Sequence, residues 1–93
     1  VAPPEVEMVL QALPEVADAH VLGVPDDERG EIVAAAVVAA PGQTIDPESL
    51  RERARAELSN YKVPRKILVL ERVPVLANGK PDRLAIRDLL VGA

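Results

Sequence analysis

Apolar residues recur along this chain in two rhythms, and the switches between them mark its elements. Val6, Val9, Leu10 and Leu13 stand three and four apart, the spacing of one helical face. Pro3-Pro4 with Glu5 and Glu7 suits a helix start, because proline fits the first turn and carboxylates there meet the positive end of the dipole. The pattern predicts a helix ending near Pro14. From Val16 to Val24 the rhythm alternates, with Val16, Asp18, His20, Leu22 and Val24 on one face and Ala17, Ala19 and Val21 on the other, which predicts a strand. Gly23 to Glu31, rich in Gly, Pro and Asp, reads as a loop between two runs close enough to pair as an antiparallel hairpin. Ile32 to Ala40 is apolar on both faces, as an inner strand covered on both sides requires.

Pro41-Gly42-Gln43-Thr44 breaks that strand. Asp46 ahead of Pro47 and Glu48 predicts an N-cap, with Ile45 and Leu50 spaced as a hydrophobic staple. In the helix that follows, Leu50, Ala54 and Leu58 face inward, while Arg51, Glu52, Arg53, Arg55 and Glu57 form a solvated face with an ion pair expected between Arg53 and Glu57. Ser59 to Arg65 leaves the helix, and Ile67 to Leu70 is a short third strand apolar on both faces. Asp82 can cap a last helix with Ala85, Ile86, Leu89 and Leu90 as its apolar positions and Gly92 at its end. The expected fold is α+β: a small three-stranded sheet flanked by helices, in the order α-β-β-α-β-loop-α.

The segment Pro74 to Arg83 (PVLANGKPDR) interrupts this order. Its two prolines argue against a helix or a paired strand running through it, and Asn78-Gly79 permits a sharp turn just before Lys80. From spacing alone two readings stand side by side. Asn-Gly is a common hairpin turn, after which a lysine is merely solvated; alternatively, the loop presents a compact ammonium to an oxygen that gains charge in a reaction.

Composition narrows the chemistry. With 93 residues, 48% hydrophobic and 28% charged, the chain is one globular domain. It has no cysteine and a single histidine, His20, so no zinc site, disulfide framework or cysteine nucleophile can be assembled. His20 reads as a structural or surface residue, and no motif joins it to Ser49 in a triad. The acidic turn of Asp26, Asp27, Glu28 and Glu31 lacks calcium-loop spacing and reads as solvated. No apolar run approaches the ~20 residues of a membrane span. Residues 1–60 carry four basic against twelve acidic side chains, residues 61–93 seven against three. The basic last third points to an anionic partner. Nucleic acid fits poorly, since Tyr61 is the sole aromatic and the domain is acidic overall; a small phosphorylated ligand fits better. The chain opens on Val1 without an initiator methionine, which reads as a piece of a longer protein.

Gly23-Val24-Pro25-Asp26, Gly30-Glu31, Tyr61-Lys62-Val63-Pro64-Arg65 and Pro74 to Arg83 occur in one order. In that order they resemble the C-terminal domain of adenylate-forming enzymes, a family of acyl-CoA synthetases, nonribosomal adenylation domains and luciferases; the likeness runs from about Pro4 to Leu90. It implies that residues 1–93 are a mobile lid on a larger N-terminal domain that binds ATP and a carboxylic acid. The hinge would lie just before Val1. It implies that Lys80 is the catalytic lysine of acyl-adenylate formation, and that Lys62 and Arg65 meet phosphates of CoA. Mg²⁺ would accompany ATP in the full-length enzyme and not be bound by this domain. The isolated chain is expected to be inactive, the whole protein cytoplasmic, and Lys80 open to a protein acyltransferase. Val75 and Pro81 depart from the family's usual residues around the lysine, while Arg83 keeps its place. The wording Asn78 to Arg83 and the short tail after the last helix look more like a free-standing acyl-CoA synthetase than a module loading a carrier protein. An interaction module without chemistry is the remaining alternative.

Overall fold

The computed structural model describes residues 3–93, apart from the side chains of Pro3 and Tyr61. Its elements follow the expected order: α1 (Pro3–Gln11), β1 (Val16–Asp26), β2 (Gly30–Ala39), α2 (Pro47–Arg55), a 3₁₀ turn (Asn60–Lys62), β3 (Lys66–Leu70) and α3 (Arg83–Gly92). The sheet is mixed, with β2 in the middle, antiparallel to β1 and parallel to β3. Ile32 to Val37 explain that central place. Val33, Ala35 and Val37 join one buried cluster with Val6 and Leu10 of α1 and Leu50 and Ala54 of α2. Ala34 and Ala36 point the other way, to Ile86 and Leu90 of α3. Both faces of β2 are therefore covered, and its three consecutive alanines, all fully buried, let helices approach closely from either side.

The helix signals act as read. The Asp46 carboxylate accepts from Glu48 N at 3.2 Å, and Ile45 and Leu50 are both buried in the first cluster. Asp82 accepts from Ala85 N at 3.0 Å, and Ile86 and Leu90 seat α3. Leu89 does not follow them: it is 42% exposed, because α3 contacts the sheet along a single stripe.

Three expectations are corrected. First, the segment read as a loop over 23–31 is mostly strand: β1 continues through Pro25, and only residues 27–29 turn. Proline is tolerated because β1 is an edge strand, where a missing N–H need not interrupt the ladder. Second, Val16 packs with Ala19 and Val21 and not with the Asp18 face. The register shifts between Val16 and Asp18, so one extra residue in β1 reverses the alternation there. Third, Arg53 pairs with Glu15, across from α2 to the start of β1, and not with Glu57.

The free edge of β1 is guarded from α1. Glu7 Oε2 accepts from Val21 N at 2.7 Å, Gln11 Nε2 donates to Ala19 O at 3.1 Å, and Ala19 N donates to Asp18 Oδ1 at 3.0 Å. Side chains thus occupy backbone groups that would otherwise template another strand. Glu7→Ala is expected to cost about 1–2 kcal/mol, since it leaves Val21 N unpaired, whereas Glu7→Gln keeps an acceptor and should cost less. Urea unfolding of the two variants checks this; equal losses would mean that Glu7 acts through packing alone.

Candidate functional site

The segment Pro74 to Asp82 holds no helix and no named strand, as its prolines suggest, and closes as a short hairpin, one of the two readings its Asn-Gly turn left open. Leu76 N donates to Lys80 O at 2.7 Å, Gly79 N to Leu76 O at 2.9 Å and Asp82 N to Pro74 O at 2.9 Å; Val75 and Pro81 form an antiparallel bridge. The turn is three residues long, Ala77-Asn78-Gly79. Gly79 alone takes a positive φ, 86°, the left-handed position of a three-residue hairpin. Asn78 stays out of that region and uses its side-chain oxygen to accept from Lys80 N at 3.1 Å. A side chain at position 79 would be strained by backbone conformation, not by crowding, since open space surrounds it.

This geometry fixes the lysine's backbone and leaves its ammonium in solvent. Lys80 is exposed, and its Nζ has no partner among the described residues. Asp82 joins the hairpin to α3: its N–H closes the hairpin while its carboxylate caps the helix. The lysine therefore stands two residues ahead of a helix anchored in the core by Ile86 and Leu90, beside the positive end of the α3 dipole and Arg83.

The second predicted group lies on the 3₁₀ turn and its exit. Lys62 Nζ reaches both oxygens of Glu5, at 3.0 and 3.2 Å, tying the turn to the first turn of α1. Arg65 is exposed. Its backbone is held by Arg51, whose Nη2 donates to Arg65 O at 3.1 Å and whose Nε donates to Pro64 O at 3.0 Å. Sequence reading placed Arg51 on a solvated face; the one clue to its real role was its position beside Leu50, on the border of the buried stripe. The aromatic side chain of Tyr61 lies outside the described residues. Lys62 is tethered to α1 on one face of the sheet, whereas Lys80 leads into α3 on the other, so the structure does not gather the three basic residues into one group.

Comparison with known proteins decides the family. The model of the AMP-binding enzyme C-terminal domain matches residues 5–80, a span that takes in Lys62, Arg65 and Lys80. The chain belongs to that family. An indene-dione propanoyl:CoA ligase of Mycobacterium tuberculosis is 43% identical over 89 residues, 96% of this chain and 18% of the relative. A fatty acid–[acyl-carrier-protein] ligase, ScoC, of Streptomyces coeruleorubidus is 41% identical over 92 residues, 99% of this chain and 18% of the relative. Among solved structures, the amide bond synthetase McbA of Marinactinospora thermotolerans superposes with a TM-score of 0.89 at 44% identity, covering 96% of this chain and 18% of that one. An acyl-CoA synthetase of Brucella canis gives 0.86 at 36% identity, covering 99% and 18%. The chain thus spans about a fifth of the length of these relatives, as the C-terminal domain of an adenylate-forming ligase does.

His20 Nε2 lies 2.9 Å from Asp18 Oδ2, with the imidazole only 12% exposed, a pairing within β1. Among the described residues no group of three or more His, Cys, Asp or Glu is placed to hold a metal ion. None of their helices is long and apolar enough to cross a membrane.

Proposed function

We propose that this domain is the lid of an ATP-dependent carboxylate:CoA ligase. In the first half-reaction a carboxylate oxygen attacks the α-phosphorus of ATP and pyrophosphate leaves; Lys80 stabilises the charge gathering on the carboxylate and α-phosphate oxygens. In the second, the CoA thiol attacks the acyl carbon and AMP leaves, with the turn carrying Lys62 and Arg65 lying against CoA. The large N-terminal domain supplies the ATP and acyl pockets, and Mg²⁺ travels with ATP. The observation that carries this reading is Lys80, an ammonium with no partner among the described residues, on a closed hairpin that Asp82 joins to α3. A cation placed that way contributes little in water and much once a closing site excludes water.

CoA as acceptor is supported by the CoA ligases among the relatives. ScoC, named as a carrier-protein ligase, favours a second reading in which the acyl group passes to a carrier. The full-length enzyme offered CoA and a phosphopantetheinylated carrier together separates them: release of acyl-CoA supports the first, and acylated carrier alone overturns it. Lys80 is exposed and so reachable by a protein acyltransferase, and acetylation would remove its charge.

A further inference from the structure

Asn60 and Asn78 are the two asparagines of the chain, and their surroundings differ in what bears on the chemistry of a side-chain amide. Asn60 opens the 3₁₀ turn and is followed by Tyr61, a residue whose own substituent hinders approach to its nitrogen. Asn78 stands at the tip of the Lys80 hairpin and is followed by Gly79, where nothing lies within 4 Å of the place a Cβ would occupy. Asn78 Oδ1 accepts from Lys80 N at 3.1 Å, one residue beyond Gly79, so the side-chain amide is folded back over the Asn78–Gly79 peptide. The same bond polarises that amide, because the Lys80 N–H points at the oxygen on which charge gathers when a nucleophile attacks Cγ. The adjoining nucleophile is Gly79 N, and the Lys80 ammonium and the start of α3 both favour its deprotonated form. Asn78 Nδ2, the group that would leave, has no partner among the described residues. One contact opposes the attack: Gly79 N donates to Leu76 O at 2.9 Å. Little holds it in place. Residues 75–81 are exposed throughout, and the two arms meet at one isolated bridge, Val75 with Pro81, so the hairpin can open locally while the core stays folded.

We propose that Asn78 is a site of spontaneous deamidation, and that its isoaspartate product ends the work of the hairpin. Gly79 N gives up its proton and bonds to Asn78 Cγ; the Cγ–Nδ2 bond breaks, and ammonia leaves with a proton as a succinimide ring closes. Water then opens the ring. Attack at Cγ breaks the new bond to Gly79 N and yields aspartate. Attack at the backbone carbonyl carbon of residue 78 breaks the original peptide bond and yields isoaspartate, with the chain running on through Cβ and Cγ. The net change is amide and water to carboxylic acid and ammonia, with nothing oxidised or reduced. Aspartate can still accept from Lys80 N and preserves the turn. Isoaspartate adds a methylene to the backbone inside a loop whose closure, Leu76 N to Lys80 O at 2.7 Å, fixes where the lysine stands. The modification goes beyond the proposed reaction; its effect on catalysis rests on the assignment of Lys80.

Incubation of the full-length protein at mildly alkaline pH in heavy-oxygen water, followed by peptide mass mapping and labelling with an isoaspartate methyltransferase, tests this. Asn78 should take up heavy oxygen at least about tenfold faster than Asn60, with the methyltransferase marking the same peptide. Acyl-adenylate formation should fall in step with isoaspartate content, while thioester formation from a supplied acyl-adenylate keeps its rate. Asn78→Ser, which retains a side-chain acceptor for Lys80 N and has no amide to cyclise, should hold its own starting rate through the incubation. The proposal is overturned if Asn78 stays an amide, if Asn60 converts as fast, or if the Asn78→Ser protein loses adenylation at the wild-type pace. The mass map needs no variant, so the first two outcomes are decided even where the serine protein folds poorly. Failure of the Lys80 assignment looks different: isoaspartate forms at position 78, yet both half-reactions decline together.

Discussion

Lys80→Ala in the full-length enzyme is expected to slow acyl-adenylate formation by a factor on the order of 10²–10³, roughly 3–4 kcal/mol, the loss that follows removal of one donor to a developing oxyanion. Thioester formation from a supplied acyl-adenylate should be almost unchanged. The asymmetry follows from where the fold attaches its two basic loops: the hairpin of Lys80 leads into α3 on one face of the sheet, and the turn of Lys62 and Arg65 is tied to α1 on the other. A lid that rotates between half-reactions presents one and withdraws the other. Lys80→Arg should recover little, because a planar fork does not occupy the place of a compact ammonium. Both half-reactions must be measured separately in the same variant. Equal losses would show that Lys80 supports lid docking or folding, and the catalytic assignment would fall.

Ile86→Ala is expected to destabilise the domain by about 2–5 kcal/mol, through the lost burial of the side chain and the cavity it leaves. The effect is large for this domain because the cluster under α3 is small: Val24, Ala34, Ala36, Ile86 and Leu90 are its buried members, and two of them are alanines with little to fill a void. A domain of this size holds roughly 5–14 kcal/mol in all, so one substitution removes much of it. Ile86 is 1% exposed; Leu84, two residues earlier and 76% exposed, is the matched control and should change stability by less than about 0.5 kcal/mol on conversion to alanine. Denaturant midpoints of the two variants decide the matter. Since Asp82 links the Lys80 hairpin to α3, Ile86→Ala should also weaken adenylation, and to a greater degree than it weakens ATP binding by the N-terminal domain.

Local chemistry made much of this legible in advance. Apolar spacing located all three helices and all three strands, and the double-sided run Ile32 to Ala40 identified the central strand, because a residue's period depends only on its neighbours in the chain. The caps at Asp46 and Asp82 were likewise readable, since a capping carboxylate reaches no farther than two or three residues. The motif order of Gly23 to Asp26, Tyr61 to Arg65 and Pro74 to Arg83 carried the family resemblance. What depended on partners distant in sequence was not readable. Pro25 remained in a strand because β1 lies at an edge, a fact about sheet order. Val16 changed face through a bulge set by pairing with β2. Arg53 chose Glu15 over Glu57, Lys62 chose Glu5 across 57 residues, and Arg51 left the solvated face to clamp Pro64 and Arg65. In each case a side chain or strand had a nearby option that sequence could name and a distant one that packing supplied, and only the tertiary structure decided between them.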